Sequence, residues 1–158
     1  MPTRRVDQVL DELIDQARTE VWLVSYVAYG ADRAVNALSA AAARGVQIRL
    51  ILEIARESGG KLAFDTAKQL KAQLPSASFY YWPLENRSVD SSGRHGILHA
   101  KCLISDKSAA LISSANLTDY ALELNLELGL LVRGGDIPRQ LAEHFAQLVV
   151  RQELREML

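Results

Sequence analysis

Only one cysteine, Cys102, occurs among the 158 residues, so neither an intramolecular disulfide framework nor a cysteine-based zinc site can form. Cys102 itself falls in an apolar strand pattern, where a small core residue is the simplest role for it. Long apolar runs are also missing. Stretches such as 21–24 and 48–52 fall far short of the roughly 20 residues that a membrane helix requires, and a soluble chain without membrane insertion is expected. Residues 1–8 are charged and lead straight into a helical pattern, without the apolar segment and small-residue cleavage site of a secretory signal, which favours the cytoplasm. An excess of either charge is missing as well, with 18 basic and 19 acidic residues. A net charge of -1 exerts no global pull on polyanions and leaves a local basic groove as the electrostatic route to one. No linker, repeat or low-complexity tail interrupts the chain.

What is present is a high apolar content, 49% hydrophobic residues, which suits one compact domain with a substantial core over residues 1–158. Val6, Leu10, Leu13, Ile14 and Ala17 recur at helical spacing, and a run rich in β-branched and aromatic residues at 21–28 reads as a buried strand. Gly30 ends it, 31–44 is alanine-rich and helical, Gly45 stops the helix, and 46–53 is a second apolar strand. That β-α-β order predicts parallel pairing. After a break at Ser58, Gly59 and Gly60, a helix over 61–73 and a strand over 77–82 repeat the unit. Residues 83–96 are polar and aperiodic, a long mobile loop, and two strands follow at 97–105 and 109–114, joined by a tight hairpin. A short turn or helix is predicted around 116–121. Leucine then holds every even position from 122 to 130, with Glu123, Asn125 and Glu127 between, a period-2 pattern that predicts a strand with leucines in the core. Gly134 and Gly135 turn the chain into a terminal helix opened by Asp136 and Pro138, with Leu141, Phe145, Leu148 and Val149 on its apolar face. The sum is an α/β domain of three layers with a mixed sheet between helices.

Chemistry concentrates at three i, i+2 pairs. His99 and Lys101 leave the same face of their predicted strand, while Leu98, Ala100, Cys102 and Ile104 point the other way. Ser114 with Asn116, and Asn125 with Glu127, repeat the arrangement, so six polar side chains converge on one sheet edge. Asp106 has the opposite parity at the strand end and is expected to hold the turn. Each of these residues also has an ordinary role: Asn116 with Asp119 resembles a helix capping box, and Asn125 and Glu127 fit the solvated face of an edge strand. His95 reads as a loop residue, since Gly93 and Gly96 argue against the helix that a metal-binding H-x-x-x-H needs, and His144 as a helix-surface residue. Arg87, Arg94 and Lys107 flank the motif as candidates for polyanion contact, although basic loop residues are usually just solvated.

Residues 97–106 read Ile-Leu-His-Ala-Lys-Cys-Leu-Ile-Ser-Asp, 113–116 read Ser-Ser-Ala-Asn, and 125–129 read Asn-Leu-Glu-Leu-Gly. This stretch resembles the phospholipase D superfamily motif H-x-K-x(4)-D-x(6)-G-S-x-N and its downstream N-x-E-x-G, with both spacings matched. The resemblance implies a phospholipase-D-like fold, a mixed β-sheet sandwiched between helices, and a phosphodiesterase site that uses no metal and no cofactor. His99 would attack phosphorus to form a phosphohistidine, and Lys101 with Asn116 would hold the nonbridging oxygens. Glu127 would accept a proton from the other ring nitrogen of His99, Ser114 would join that network, and Asp106 completes the motif. Family members with one motif pair two chains around a two-fold axis, so a homodimer is implied.

Small single-motif chains of this kind resemble bacterial endonucleases, which makes nucleic acid, DNA or RNA, the expected substrate. A phospholipid phosphodiesterase or phosphatidyl transferase would be favoured by an exposed apolar rim or amphipathic helix at the cleft, and no such stripe stands out in the sequence. A nucleic-acid-binding scaffold with little turnover is the rival outside enzymology. Ser113 keeps it in view, because it stands where the motif usually has glycine and adds a Cβ near the phosphate. The helical start and compact length are also similar to the phospholipase-D-like component of bacterial antiphage defence systems such as DISARM, which implies larger defence-system partners.

Overall fold

The computed structural model describes residues 4–58 and 65–158. A seven-stranded mixed sheet runs through the centre of the molecule in the order β8-β6-β5-β1-β3-β4-β9. Its middle is β1 (Glu20–Ser25), parallel to β3 (Gln47–Leu52), which is parallel in turn to β4 (Ser78–Tyr81). On the other side of β1 lie three antiparallel pairings, through β5 (Cys102–Ser105), β6 (Ala109–Ser113) and β8 (Gly129–Arg133). A short β9 (Arg155–Glu156) closes the far edge against β4. The predicted β-α-β parallel unit and the hairpin are both present.

The two faces of the sheet bury different partners, which is why the central strands carry apolar residues toward both faces. Val21, Leu23, Ile48, Leu50, Leu52 and Leu103 pack with α1 (Val6–Gln16), α2 (Asp32–Ala43) and α3 (Thr66–Gln73). Trp22, Val24, Ile51, Tyr80 and Ile104 face the other way, against Ala142 and Phe145 of α4 (Ile137–Val150). Alternation along each strand therefore sorts residues between two cores, one on either side of a sheet flanked by helices. Among the described residues no helix is long and apolar enough to cross a membrane.

Several predicted elements differ. The 21–28 strand is two pieces: β1 stops at Ser25, and β2 (Ala28–Tyr29) pairs instead with β7 (Leu117–Thr118) in a separate two-stranded sheet. Residues 61–64 of the predicted 61–73 helix lie outside the described residues. The polar 83–96 segment is structured rather than open, with a 3-10 turn at Leu84–Asn86 and an antiparallel bridge between Val89 and His95. The 97–105 strand begins only at Cys102.

The largest correction concerns 122–130. Residues Tyr120–Leu124 form a π-helical turn, and β8 starts at Gly129, the residue paired with the last residue of β6, Ser113. Beyond that pair the Ser114 N–H still bonds the Leu128 carbonyl at 3.0 Å, but the Leu128 N–H turns to the Ser114 hydroxyl and the ladder ends, so 125–128 do not form a strand. Leu124, Leu126, Leu128 and Leu130 are 69%, 102%, 81% and 62% exposed, not core residues.

Candidate active site

The carboxyl ends of β1 and β3, the start of β5, the end of β6 and the start of β8 lie along one edge of the sheet. The crevice outside the carboxyl ends of parallel strands is the usual place for a site in an α/β fold. Here Ser25 closes β1 and is 1% exposed. Its hydroxyl donates to the carbonyl of Val27 at 2.6 Å and accepts the Leu117 N–H at 3.0 Å. That clamp holds the Ser113 to Leu117 segment against the end of β1.

Lys101 and Asn116 meet in a narrow cavity also lined by Val6, Leu10, Ser25 and Ser113. Lys101 is 9% exposed, and its ammonium donates to the carbonyl oxygen of His99 at 2.8 Å. Burial holds its pKa below the ordinary lysine value, and the Glu127 carboxylate pulls partly in the other direction. The Asn116 Oδ1 is buried without a hydrogen-bond partner among the described residues. A half-turn of the amide exchanges its oxygen and nitrogen, which makes the same position a donor into the cavity. Asn116 is not a helix cap: the N–H of Ala121 at the following turn bonds to the Thr118 hydroxyl at 3.1 Å.

Ser114 and Glu127 come together as expected. The Ser114 hydroxyl donates to the Glu127 carboxylate and accepts the Leu128 N–H at 3.1 Å, while the Asn125 amide donates to Glu127 at 3.2 Å. The expected hydrogen bond donated by the His99 ring to Glu127 is absent from this arrangement. His99 is exposed, and its ring sits beside Tyr26, with centroids 6.2 Å apart. Because β5 has not begun at residue 99, strand parity does not place His99 and Lys101 side by side: Lys101 turns inward while His99 stays at the surface.

Asp106 holds structure, as its parity indicated. Its carboxylate accepts the N–H groups of Arg18 at 2.9 Å, Thr19 at 2.8 Å and Glu20 at 3.0 Å, and the Thr19 hydroxyl at 2.8 Å. Partial burial raises its pKa, and those bonds outweigh the burial, so the net displacement is downward. Ser113, in place of glycine, uses its hydroxyl to accept the Ala115 N–H at 3.0 Å, which orders the turn leading to Asn116. Cys102 is half-buried against the α4-side core, and burial pushes its thiol up to about 12.

The flanking basic residues are already engaged. Arg87 is fully buried in an ion pair with Glu53, Arg94 pairs with Asp90 at 2.8 Å, and Lys107 lies 3.4 Å from Glu20. His95 is exposed in its small hairpin, and His144 packs edge-on against Phe145. Sequence reasoning missed Ser25, Tyr26 and Glu53. The one local signal for Glu53 and Ser25 is a polar residue closing an otherwise apolar parallel strand. A wider groove beside Glu127 is lined by Arg4, Arg5, Asn125 and Leu126, and Arg4 and Arg5 also drew no attention in the sequence.

The family pattern described as "Cardiolipin synthase, PLD-like domain" matches residues 10–149. The chain belongs to the phospholipase-D-like family. NucT from Helicobacter pylori superposes with a TM-score of 0.76 at 20% identity, covering 95% of this chain and 89% of NucT. Nuc from Salmonella typhimurium, a phospholipase D family member, superposes with a TM-score of 0.69 at 19% identity over the same shares, 95% and 89%. At these identities the likeness is one of fold. Cardiolipin synthase 1 of Staphylococcus epidermidis is 25% identical over 151 residues, 90% of this chain. The chain spans only 27% of that relative's length.

Proposed function

We propose that this chain is a metal-independent phosphodiesterase acting on nucleic acid, with His99 as nucleophile in a site completed by a second copy. The observation that carries the reading is the edge cluster itself. At the carboxyl ends of the parallel strands, the buried ammonium of Lys101 shares a cavity with the unpartnered carboxamide oxygen of Asn116 and bonds the backbone carbonyl of His99, a surface histidine two residues away. His99 attacks phosphorus and the alcohol oxygen leaves with a proton. Lys101 and Asn116 stabilise the negative charge that builds on the nonbridging oxygens, the part a metal plays in other phosphodiesterases. Water then attacks the phosphohistidine and regenerates the free imidazole.

The proton for the leaving oxygen needs a second acid, because His99 is occupied in bonding to phosphorus. A two-fold copy supplies its own His99 for that step. The exposed leucines at 124, 126, 128 and 130 supply an apolar surface on the edge that carries Glu127, suited to burial against that copy. Nucleic acid is taken as the substrate by analogy with single-motif nucleases, whose fold NucT and Nuc share with this chain.

A second reading, phosphatidyl transfer at a lipid surface, is favoured by the same leucines, which form the apolar rim that the sequence did not reveal. Purified protein incubated in EDTA with labelled DNA, RNA and phospholipid vesicles separates the two. Cleavage of nucleic acid that persists in EDTA and falls by about three orders of magnitude or more in His99→Ala is expected. Turnover confined to phospholipid replaces the reading with the second, and activity restored only by magnesium overturns the mechanism.

A further inference from the structure

Among the described residues, the ion pair with both side chains fully buried lies outside the motif. Glu53, the residue after β3, and Arg87, in the segment that leads to His99, form an ion pair in which both side chains are 0% exposed. Two guanidinium nitrogens reach the two carboxylate oxygens at 3.0 and 2.8 Å. Arg87 also donates to the carbonyl oxygens of Trp82 and Gly96, at 3.0 Å in each case, and its guanidinium lies over the Trp82 ring, 5.1 Å from the centroid. Glu53 in turn accepts the backbone N–H of Leu98 at 3.1 Å.

Taking both charges out of water is costly, and an apolar pair of similar volume is often as stable or more so. What an apolar pair cannot supply is direction. Two of the hydrogen bonds here end on the backbone just before His99, and the others tie the pair to the ends of β3 and β4 at Ile54 and Trp82. Arg87 pins Gly96, and Glu53 pins Leu98, the residue adjoining His99. The same carboxylate also acts on Tyr26, whose ring stands beside His99: burial, then the charge of Glu53, raise the Tyr26 pKa. The need for such a device is evident from the fold. Residues 99–101 precede β5, so no ladder holds His99 in place.

We propose that the Glu53–Arg87 pair is a positioning device that fixes the backbone at Leu98 and so aims the His99 imidazole. This rests on the reading of His99 as nucleophile. Neither residue touches the reacting phosphate; both act through His99.

The decisive variant is Glu53→Asp. It keeps the charge that Arg87 needs inside the protein and withdraws the carboxylate by one methylene from the Leu98 N–H. Arg87→Lys, which keeps a cation and loses the fork, is the companion should Glu53→Asp fold poorly. Three quantities are read in the full chain: kcat and KM on bis(p-nitrophenyl) phosphate, the NMR titration of the His99 ring, and hydrogen exchange at the Leu98 amide. The expected result is a folded variant whose kcat falls about tenfold or more with KM nearly unchanged. Its His99 ring titration departs from the wild-type curve, and Leu98 exchanges about tenfold faster. A folded variant with wild-type kcat and wild-type His99 titration overturns the proposal, as does a loss of thermal stability with neither of those changed. His99→Ala separates the two layers: if it retains wild-type turnover, the nucleophile reading fails. The ring titration and the amide exchange still decide whether the pair orders His99.

Discussion

Lys101 carries its charge where charge is expensive, and that sets how activity depends on pH. An ordinary lysine titrates near 10.4, and burial lowers Lys101 from there, with the Glu127 carboxylate opposing the change. In the proposed mechanism the protonated form stabilises the phosphorane, so activity is expected to fall as pH rises through the lowered value. The alkaline limb of the rate profile is therefore expected at lower pH than a surface lysine would give. Arginine stays charged throughout that range. A Lys101→Arg profile whose alkaline limb stays where the wild type has it would assign the limb to another group. Lys101→Met removes the charge altogether, and a loss in kcat of about 100-fold to 1,000-fold is expected. Asn116 belongs to the same small volume, and its unpartnered buried amide is the kind of exception that a bound oxyanion explains.

Among the elements, the turn between β5 and β6 shows how a motif residue serves the fold. Asp106 and Lys107 both have positive φ, 51° and 54°, a region that aspartate tolerates better than most residues. The Asp106 carboxylate ties this turn to the start of β1 through three backbone N–H groups. Its folded pKa is lowered, so its contribution to stability is fully present above the unfolded value of about 3.9 and is lost as pH falls through the folded value. Asp106→Asn keeps the backbone preference and removes the charge. It is expected to cost about 1 to 2 kcal/mol at pH 7, after allowance for partial exposure, and to approach wild-type stability in acid. Urea titrations at pH 7 and near pH 3 check this; an equal gap at both pH values would mean that the charge is not responsible.

At the scale of the whole molecule, the exposed leucines decide what the chain does next. Leu126 and Leu128 project from the edge that holds Glu127, and isolated monomers rarely leave such a row uncovered. In the proposed dimer a second copy covers it, brings two single-motif sites together and supplies the missing acid. Leu126→Asp combined with Leu128→Asp is expected to give a folded monomer in light scattering at micromolar concentration, with turnover reduced about 100-fold or more by loss of the leaving-group acid. A dimer that persists in this variant places the interface elsewhere. A wild-type monomer that binds phospholipid vesicles through these leucines would assign the ridge to lipid.

Much of this protein is decided by local sequence. Apolar strands separated by an alanine-rich helix imposed parallel β1 and β3, because a crossover of that length returns the chain in the same direction. The spacing of His99, Lys101, Asp106, Ser114, Asn116 and Glu127 named the candidate site, and the parity of Asp106 separated the turn residue from the rest. Period-2 leucines at 122–130, however, carried no information about what lay opposite them. Alternation records that one face differs from the other, and whether the apolar face meets a core, a second copy or a lipid depends on where β6 ends. The Glu53–Arg87 pair was hidden for the same reason: an acid and a base 34 residues apart become one structure only when β3 and the segment before β5 are brought to the same edge. His99 and Lys101 were legible as a pair, but their opposite exposure was not, since it follows from β5 beginning at Cys102. Strand order, the end of each ladder and the depth of each charge are products of tertiary packing, because they depend on contacts between segments that no local pattern specifies.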